Sequence, residues 1–274
     1  MGTIILGTGS CLPKRVMSNV ELESIVETND EWIRSRTGIE NRRVGGAGEK
    51  TYQLAASAAR RALDMAAVDA KQIELLVVGT VSSHMLMPSC ACYVQNEIGA
   101  TNAFAYDLNA ACCGFLYGLD AGDRYVRTDK QSKVLIIGAE TLSSRVNWRD
   151  RNTCILFGDG AGAAVLGHSE DSGRKIIGTN HRSDGALWDL LYMHTAPSQN
   201  PDLMVEDNPA TVLALQGNNT TGPYEYSWLF SGFPNDQGLD DLNGTWVDGD
   251  ALYSAYAQLG GDPAIQPHRL QRLE

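Results

Sequence analysis

The sequence predicts an α/β fold, because apolar runs of strand length alternate with longer segments of helical periodicity. Residues 75–78 and 134–137 are apolar runs within strand-like segments at 73–78 and 133–137, whereas residues 51–67 and 112–127 repeat apolar residues at helical spacing. Alternating strands and helices favour parallel pairing of the strands. The positions expected on the buried face of the first helix are Leu54, Ala58, Ala62 and Met65.

The other elements follow from boundary signals along the chain. Residues 3–9 are typical of a strand that ends in glycine, and residues 104–108 of a shorter strand. Residues 88–98 are predicted to form a helix that starts at its proline and stops at Gly99. The glycines of residues 158–162 are predicted to form a tight turn between two short apolar segments.

Composition and charge limit the classes of function. The chain has 274 residues, with 43% hydrophobic and 20% charged residues, which is ordinary for a globular protein. A net charge of −11 argues against a nucleic-acid partner, because phosphate neutralisation requires a basic surface. The apolar runs are too short to cross a bilayer, and no signal segment is recognisable at the start. The six cysteines form no Cys-x-x-Cys pair, so we expect no metal site and a reduced cytoplasmic setting.

Cys112 is the first candidate for chemistry, because it lies where the strand at 104–108 gives way to a helix. A helix N-terminus carries unpaired N–H groups and the positive end of the macrodipole, and both favour the reactive thiolate. The alternative from the residues alone is a packed core cysteine. Cys113 is expected to point about 100° further around the helix and to be buried. The small neighbours that would leave room for a substrate are Ala110, Ala111 and Gly114.

Four stretches of the sequence, in order, resemble one enzyme family. Asn-Ala-Ala-Cys-Cys-Gly-Phe at 109–115 resembles the nucleophile motif of type III β-ketoacyl-acyl-carrier-protein synthases, in the thiolase superfamily. Residues 28–39 resemble the coenzyme A segment of that family, and the glycine-rich stretch within 150–163 resembles its signature loop. Residues 183–185 resemble the turn that opens the second half of the fold. The resemblance covers residues 1–217 and implies a thiolase-like layered αβαβα architecture.

The resemblance implies roles for individual residues. Cys112 would accept the acyl group, and Trp32 would stack on the adenine of coenzyme A. Arg36 and Arg151 would contact the adenine and phosphates, for which planar guanidinium groups are suited. Without the resemblance, half-buried packing is the expected role of Trp32, and solvation that of the arginines.

Two further residues would shape the acyl channel. Phe157 would line it, and Met87 would reach across a homodimer interface and limit the acyl length. Because methionine is flexible, it predicts chain length poorly.

The implied function is that of an acyltransferase that initiates fatty-acid synthesis in the cytoplasm. An acyl-CoA primer would form an acyl-cysteine, which is then condensed with malonyl-acyl-carrier protein as CO2 is lost. No cofactor is implied, since the coenzyme A thioester is the substrate; the partners are acyl-CoA, the carrier protein and a second copy of the chain. Two alternatives stay open: an impaired or inactive homologue that only binds CoA or pairs with a full-length partner, and a related thiolase-fold synthase with another acceptor.

The resemblance stops at residue 217. The family's Pro-His-Gln-Ala-Asn and Gly-Asn-Thr/Ser motifs do not follow, and the nearest histidine candidate is His268, after Pro267. We therefore expect self-acylation to survive, while the condensation step is weakened by the missing enolate donors. The predicted divisions are a nucleophile-bearing half at 1–173, the start of a second half at 174–217, and an acidic, aromatic-rich tail at 218–274.

Overall fold

The computed structural model describes residues 2–170 and 173–193, together with the backbone of residues 213 and 214. The strands are β1 (Gly2–Cys11), β2 (Arg15–Ser18), β3 (Asn41–Val44), β4 (Ile73–Gly79), β5 (Phe104–Leu108), β6 (Lys133–Thr141), β7 (Asp159–Ser169), β8 (Tyr192–Met193) and β9 (Leu213–Ala214). The α-helices are α1 (Asn19–Leu22), α2 (Asp30–Thr37), α3 (Thr51–Ala66), α4 (Cys90–Ile98), α5 (Gly114–Thr128) and α6 (Arg151–Cys154). Short 3₁₀ turns occupy Ala70–Gln72, Ala111–Cys113, Leu142–Ser144 and Gly185–Leu187.

A five-stranded sheet in the order β1-β7-β6-β4-β5 forms the centre of the described fold. Strand β4 is parallel to both β5 and β6, as the alternation of elements predicts. The parallel pairing that the alternation favours does not extend to β7, which runs antiparallel to both β1 and β6. The carboxyl ends of β4, β5 and β6 therefore lie at one edge of the sheet, where α/β proteins commonly place their sites.

The glycines of residues 158–162 do not form the predicted tight turn. Strand β7 begins at Asp159, and Gly162 is paired with Gly138 on one side and Ser10 on the other. Pairing on both edges keeps this segment extended despite its glycines. A Cβ at Gly160 would lie 2.9 Å from the Leu12 side chain, so a glycine at this position leaves room for Leu12.

Helix α3 packs closely on β1 through alanine and glycine. A Cβ at Gly7 would lie 2.4 Å from the Ala66 nitrogen, and one at Gly9 only 2.2 Å from the Ala58 carbonyl oxygen. Strand β1 accordingly continues beyond Gly9, where the sequence predicts its end. Met65, expected in the core, is 67% exposed, since the buried face of α3 consists of smaller residues.

Helix α5 packs on the opposite face of the sheet through glycines spaced four residues apart. A Cβ at Gly118 would lie 2.8 Å from Ile136 Cγ2, and one at Gly122 would lie 2.7 Å from Leu166 Cδ1. Gly114, at the first residue of α5, faces Gly79 at the end of β4. The helix that follows Cys112 is therefore held against the sheet at very short range.

Helix α4 confirms its predicted stop and corrects its predicted start. Gly99 adopts a left-handed conformation (φ 73°) and ends the helix. The helix begins at Cys90 rather than at the preceding proline, because the Ser89 hydroxyl accepts the backbone N–H of Cys92 and caps the first turn. Within residues 2–170 and 173–193, no helix has the length and apolar character required to span a membrane.

The described part of the predicted second half is short and mostly irregular. The backbone N–H of Ile176 donates to the Thr3 carbonyl (2.8 Å), which ties this segment to the edge of β1. Further on, β8 pairs with β9. The predicted tail at 218–274 and its candidate His268 lie outside the described residues, and the predicted domain boundaries stay predictions.

Candidate active site

Cys112 lies on a strained turn between β5 and α5. Ala111 has φ 45°, in the left-handed region that alanine rarely adopts, at a typical cost of about 1–2 kcal/mol. Ala111–Cys113 form a 3₁₀ turn, and α5 begins only at Gly114, two residues later than predicted. The close contact between Gly114 and Gly79 fixes this turn at the carboxyl end of β4.

The turn borders an open cavity of about 330 Å³. Glycine and alanine make up most of the wall, and Leu12 and Phe115 add larger apolar surface. Cys112 and Glu140 are the two ionisable residues of the lining. The complete lining consists of Leu12, Gly79, Ala111, Cys112, Phe115, Gly138, Ala139, Glu140, Gly160, Ala161 and Gly162.

The environment of Cys112 opposes the predicted thiolate. Burial of the sulfur raises the pKa of Cys112 to about 11, and the neighbouring Cys113 and Glu140 act in the same direction. The residue as a whole is exposed, so the sulfur is both reachable and partly desolvated. Burial is the largest of these contributions, and Cys112 precedes the first residue of α5 rather than lying within the helix. Cys113, expected in the core, is exposed as well.

A second cluster surrounds Trp32 on α2. The Arg36 guanidinium carbon lies 4.4 Å from the centre of the indole, and that of Arg151 lies 4.2 Å away. Asn29 caps α2 by accepting the backbone N–H of Trp32 (2.7 Å), and Arg151 donates to the Glu27 carbonyl (3.2 Å). The structure thus brings together the three residues that the resemblance assigned to coenzyme A. Surface packing of the indole by the two cations accounts for the same geometry, so the coenzyme A role stays a prediction.

Comparison with known proteins agrees with this arrangement. A family model described as 3-oxoacyl-(acyl-carrier-protein) synthase III matches residues 106–185, which contain Cys112. The β-ketoacyl-(acyl-carrier-protein) synthase III of Desulfotalea psychrophila is 52% identical over 217 residues, covering 79% of this chain and 67% of that protein. The chain belongs to the β-ketoacyl-acyl-carrier-protein synthase III family.

A further relative and two solved structures give the same result. The synthase III of Caldanaerobacter subterraneus is 48% identical over 72% of this chain, which spans only 59% of that relative. The crystal structure of 3-oxoacyl-(acyl-carrier-protein) synthase III from Aquifex aeolicus superimposes with a TM-score of 0.70 at 41% identity, covering 79% of this chain and 65% of that one. The priming β-ketosynthase of the R1128 polyketide pathway also has a TM-score of 0.70, at 30% identity, over 95% of this chain and 71% of that one. The predicted α/β, thiolase-like fold class is confirmed.

The two residues predicted to shape the acyl channel of this synthase III lie apart from the cavity lining. Met87 is 79% exposed, and Phe157 is buried in the cluster that includes Met17, Ile33 and Ile155. Neither residue borders the cavity at Cys112. Their roles in the channel stay predictions.

Glu140 is a residue of the cavity that the sequence did not predict. Its carboxyl accepts the backbone N–H of Val81 (2.8 Å) and the hydroxyls of Ser82 and Thr80. Burial raises the pKa of Glu140, and these hydrogen bonds oppose that rise. The available signal was an acidic residue at the end of an apolar strand, where α/β proteins commonly carry functional groups.

Proposed function

We propose that this chain carries the acyl-accepting site of a β-ketoacyl-acyl-carrier-protein synthase III. In the proposed reaction, Cys112 takes the acyl group of an acyl-CoA primer, and the acyl-cysteine is then condensed with malonyl-acyl-carrier protein. The observation that carries the proposal is the exposed Cys112, held by a strained turn at the mouth of a mainly apolar cavity.

The first step exchanges one thioester for another. The Cys112 sulfur attacks the acyl-CoA carbonyl carbon, the bond to the coenzyme A sulfur breaks, and the proton lost by the cysteine is taken up by the leaving thiol. Because the pKa of Cys112 is raised to about 11, the sulfur is protonated before attack at neutral pH. The Ala111 turn positions the sulfur for this attack.

The Trp32 cluster supports coenzyme A as the acyl carrier. An indole offers a flat apolar face to an adenine ring, and guanidinium groups match phosphate geometry. Arg36 and Arg151 place two positive charges beside that face in a chain of net charge −11. These two positive charges would attract an anionic, nucleotide-bearing substrate to this part of an otherwise acidic chain.

We further propose that the protein acts in the cytoplasm as a homodimer that pairs along β5. Among the described residues, β4 is the only strand that pairs with β5, and the β5 side chains Phe104 and Tyr106 are exposed. Leu86 and Met87 are also highly exposed. A partner on this edge would cover these apolar residues, and the predicted role of Met87 requires such a partner. Sedimentation of the wild-type chain and a Phe104→Asp variant tests the pairing; a monomeric wild type would refute it.

The acylation step can be measured by the release of free coenzyme A from acetyl-CoA. We expect a burst of thiol release equal to the protein concentration from the full chain and none from Cys112→Ala. The matched control is Cys113→Ala, which removes the adjacent exposed thiol and should retain the burst. A burst that depends on Cys113 rather than Cys112 would contradict the assignment.

A second candidate function is acylation without condensation. It is favoured by the sequence after residue 217, where only Pro267 and His268 match the start of the family's Pro-His-Gln-Ala-Asn motif. Release of CO2 from malonyl-acyl-carrier protein separates the two functions. CO2 release by the acylated chain supports the complete reaction, whereas a burst without CO2 supports the second candidate.

Another acceptor is a further possibility, favoured by the likeness to a priming β-ketosynthase of a polyketide pathway. Incubating the acylated chain with a panel of carrier-protein and coenzyme A thioesters distinguishes these acceptors. Product formed with the malonyl-carrier protein of fatty-acid synthesis at the highest rate would support the first proposal.

A further inference from the structure

Glu140 shares the cavity of Cys112 without an obvious role in the proposed acyl transfer. It lies one residue before the end of β6, at the same edge of the sheet as the turn that holds Cys112. It is also the only carboxyl group of the cavity lining. Buried carboxyl groups require hydrogen-bond partners, and this one has several.

The partners of Glu140 fix its carboxyl in place. Its Oε1 accepts the Val81 backbone N–H (2.8 Å), while its Oε2 accepts the Ser82 hydroxyl and, more weakly, the Thr80 hydroxyl (3.4 Å). The Ser82 hydroxyl in turn accepts the backbone N–H of Thr141 (2.7 Å). All three groups donate to the carboxyl oxygens, so this arrangement suits the ionised form and leaves the group little freedom to turn away from the cavity.

Other titratable groups near this pair do not cancel the negative charge. The thiol of Cys113 follows directly on the turn, and the buried Cys90 on α4 also has its pKa raised, by burial and by Asp107 and Glu140. Asp107 on β5 accepts the N–H groups of Cys90 and Ala91. The guanidinium of Arg145, which contacts this loop, donates to the Ser83 carbonyl rather than to Glu140 (3.1 Å). The cavity lining contains no lysine, arginine or histidine.

We propose that Glu140 is a positioning residue for Cys112, whose hydrogen-bonded carboxyl group sets the shape and the charge of the cavity that the sulfur shares and slows the reaction of that sulfur with small soluble electrophiles. The same carboxyl anchors residues 80–82 to β6 and so shapes the wall that faces the sulfur. This proposal deepens the proposed function, on which it rests for the importance of Cys112. Its test requires no acyl transfer, so the two proposals can fail separately.

The test is the pH dependence of iodoacetamide alkylation at Cys112, measured by peptide mass spectrometry in a Cys113→Ala background. Glu140→Gln removes the charge and keeps an amide oxygen as acceptor. We expect the midpoint of the pH profile of Glu140→Gln to lie at lower pH than that of the parent. Alkylation at neutral pH should be faster by about tenfold for each pH unit by which the midpoint falls. A purely structural role for Glu140 would not move this midpoint in the folded variant.

The matched control is Asp107→Asn, which neutralises another buried, hydrogen-bonded carboxyl that does not line the cavity. Its midpoint should match that of the parent, and circular dichroism reports whether each variant is folded. If Glu140→Gln does not fold, Glu140→Asp withdraws the charge from the cavity and should give a smaller shift in the same direction. An unchanged midpoint in the folded Glu140 variant, or an equal shift in Asp107→Asn, would overturn the proposal.

Discussion

The Trp32 cluster and the Cys112 cavity are built on opposite principles. At Trp32, the guanidinium groups of the exposed Arg36 and the half-buried Arg151 lie over an aromatic ring, and the short helices α2 and α6 that carry them are held by side-chain caps. At Cys112, the wall is glycine, alanine and hydrocarbon with one carboxyl group, and the backbone itself is strained. The first region is suited to attracting an anionic substrate, whereas the second positions a sulfur without attracting charge. A change confined to one region should leave the other unaffected.

The largest effect concerns the ionisation of Cys112. Since its pKa is raised to about 11, the thiolate fraction grows throughout the range below that value. Alkylation of Cys112 should therefore accelerate about tenfold per pH unit, or roughly 100-fold from pH 8 to pH 10. The rate is measured by quenched labelling and peptide mapping. A rate that levels off below pH 8 would show that the helix N-terminus does lower the pKa, as the sequence alone suggests.

The next effect tests the close packing behind Cys112. Gly118→Ala would place a Cβ 2.8 Å from Ile136 Cγ2, which a packed helix–sheet contact can relieve only by moving α5. Overpacking of this kind costs about 1–3 kcal/mol, measured as a loss in the free energy of unfolding in urea. Gly178→Ala is the control, because no atom lies within 4 Å of the added Cβ. Equal stability of the two variants would mean that α5 is not held as tightly as described.

An effect of similar size, on the affinity for coenzyme A, is expected from Arg151→Ala in the cationic region. Loss of one charge-assisted contact to a phosphate typically costs about 1.5–3 kcal/mol, so coenzyme A should bind roughly tenfold more weakly or worse. Calorimetric titration gives the affinity, and the alkylation rate of Cys112 should not change. Arg149→Ala removes an exposed arginine of the same segment and serves as the charge-matched control. Equal losses of coenzyme A affinity in both variants would mean that Arg151 acts only through the general positive charge of this segment and makes no specific contact.

The smallest effect concerns the cap that positions Trp32. Asn29→Ala removes the acceptor of the Trp32 backbone N–H, at a typical cost of about 1 kcal/mol in the free energy of unfolding. Ser35→Ala in the same helix removes an exposed hydroxyl with no capping role and should be nearly neutral. A matching loss in both variants would show that the cap does not stabilise α2.

Local signals in the sequence predicted many strands of the sheet but not the direction of each strand. The apolar runs gave β4 and β6, because buried parallel strands are continuous in hydrophobicity, and the shorter β5 was predicted as well. Strand β7 was mistaken for a turn, since its glycines are turn residues in isolation and only pairing with β1 and β6 keeps them extended. Strand β1 lies more than a hundred residues before β7 in the sequence, so their pairing leaves no local signal.

The candidate site was predictable in its residues and not in its electrostatics. The motif around Cys112 and the grouping of Trp32 with Arg36 and Arg151 followed from the resemblance. The raised pKa of Cys112 did not, because it depends on burial of the sulfur and on Glu140, which is distant in sequence and adjacent in the fold. A helix terminus inferred from the sequence indicates the direction of one contribution to the pKa of a cysteine. It does not indicate how strongly burial will act on the same sulfur.

The central claim is that Cys112 is the acyl acceptor, and peptide mapping after incubation of the full chain with acetyl-CoA tests it most directly. The account predicts one acetyl group on Cys112, none on Cys113, and none in Cys112→Ala. An unmodified Cys112, under conditions in which the Desulfotalea psychrophila synthase III becomes acetylated, would contradict it.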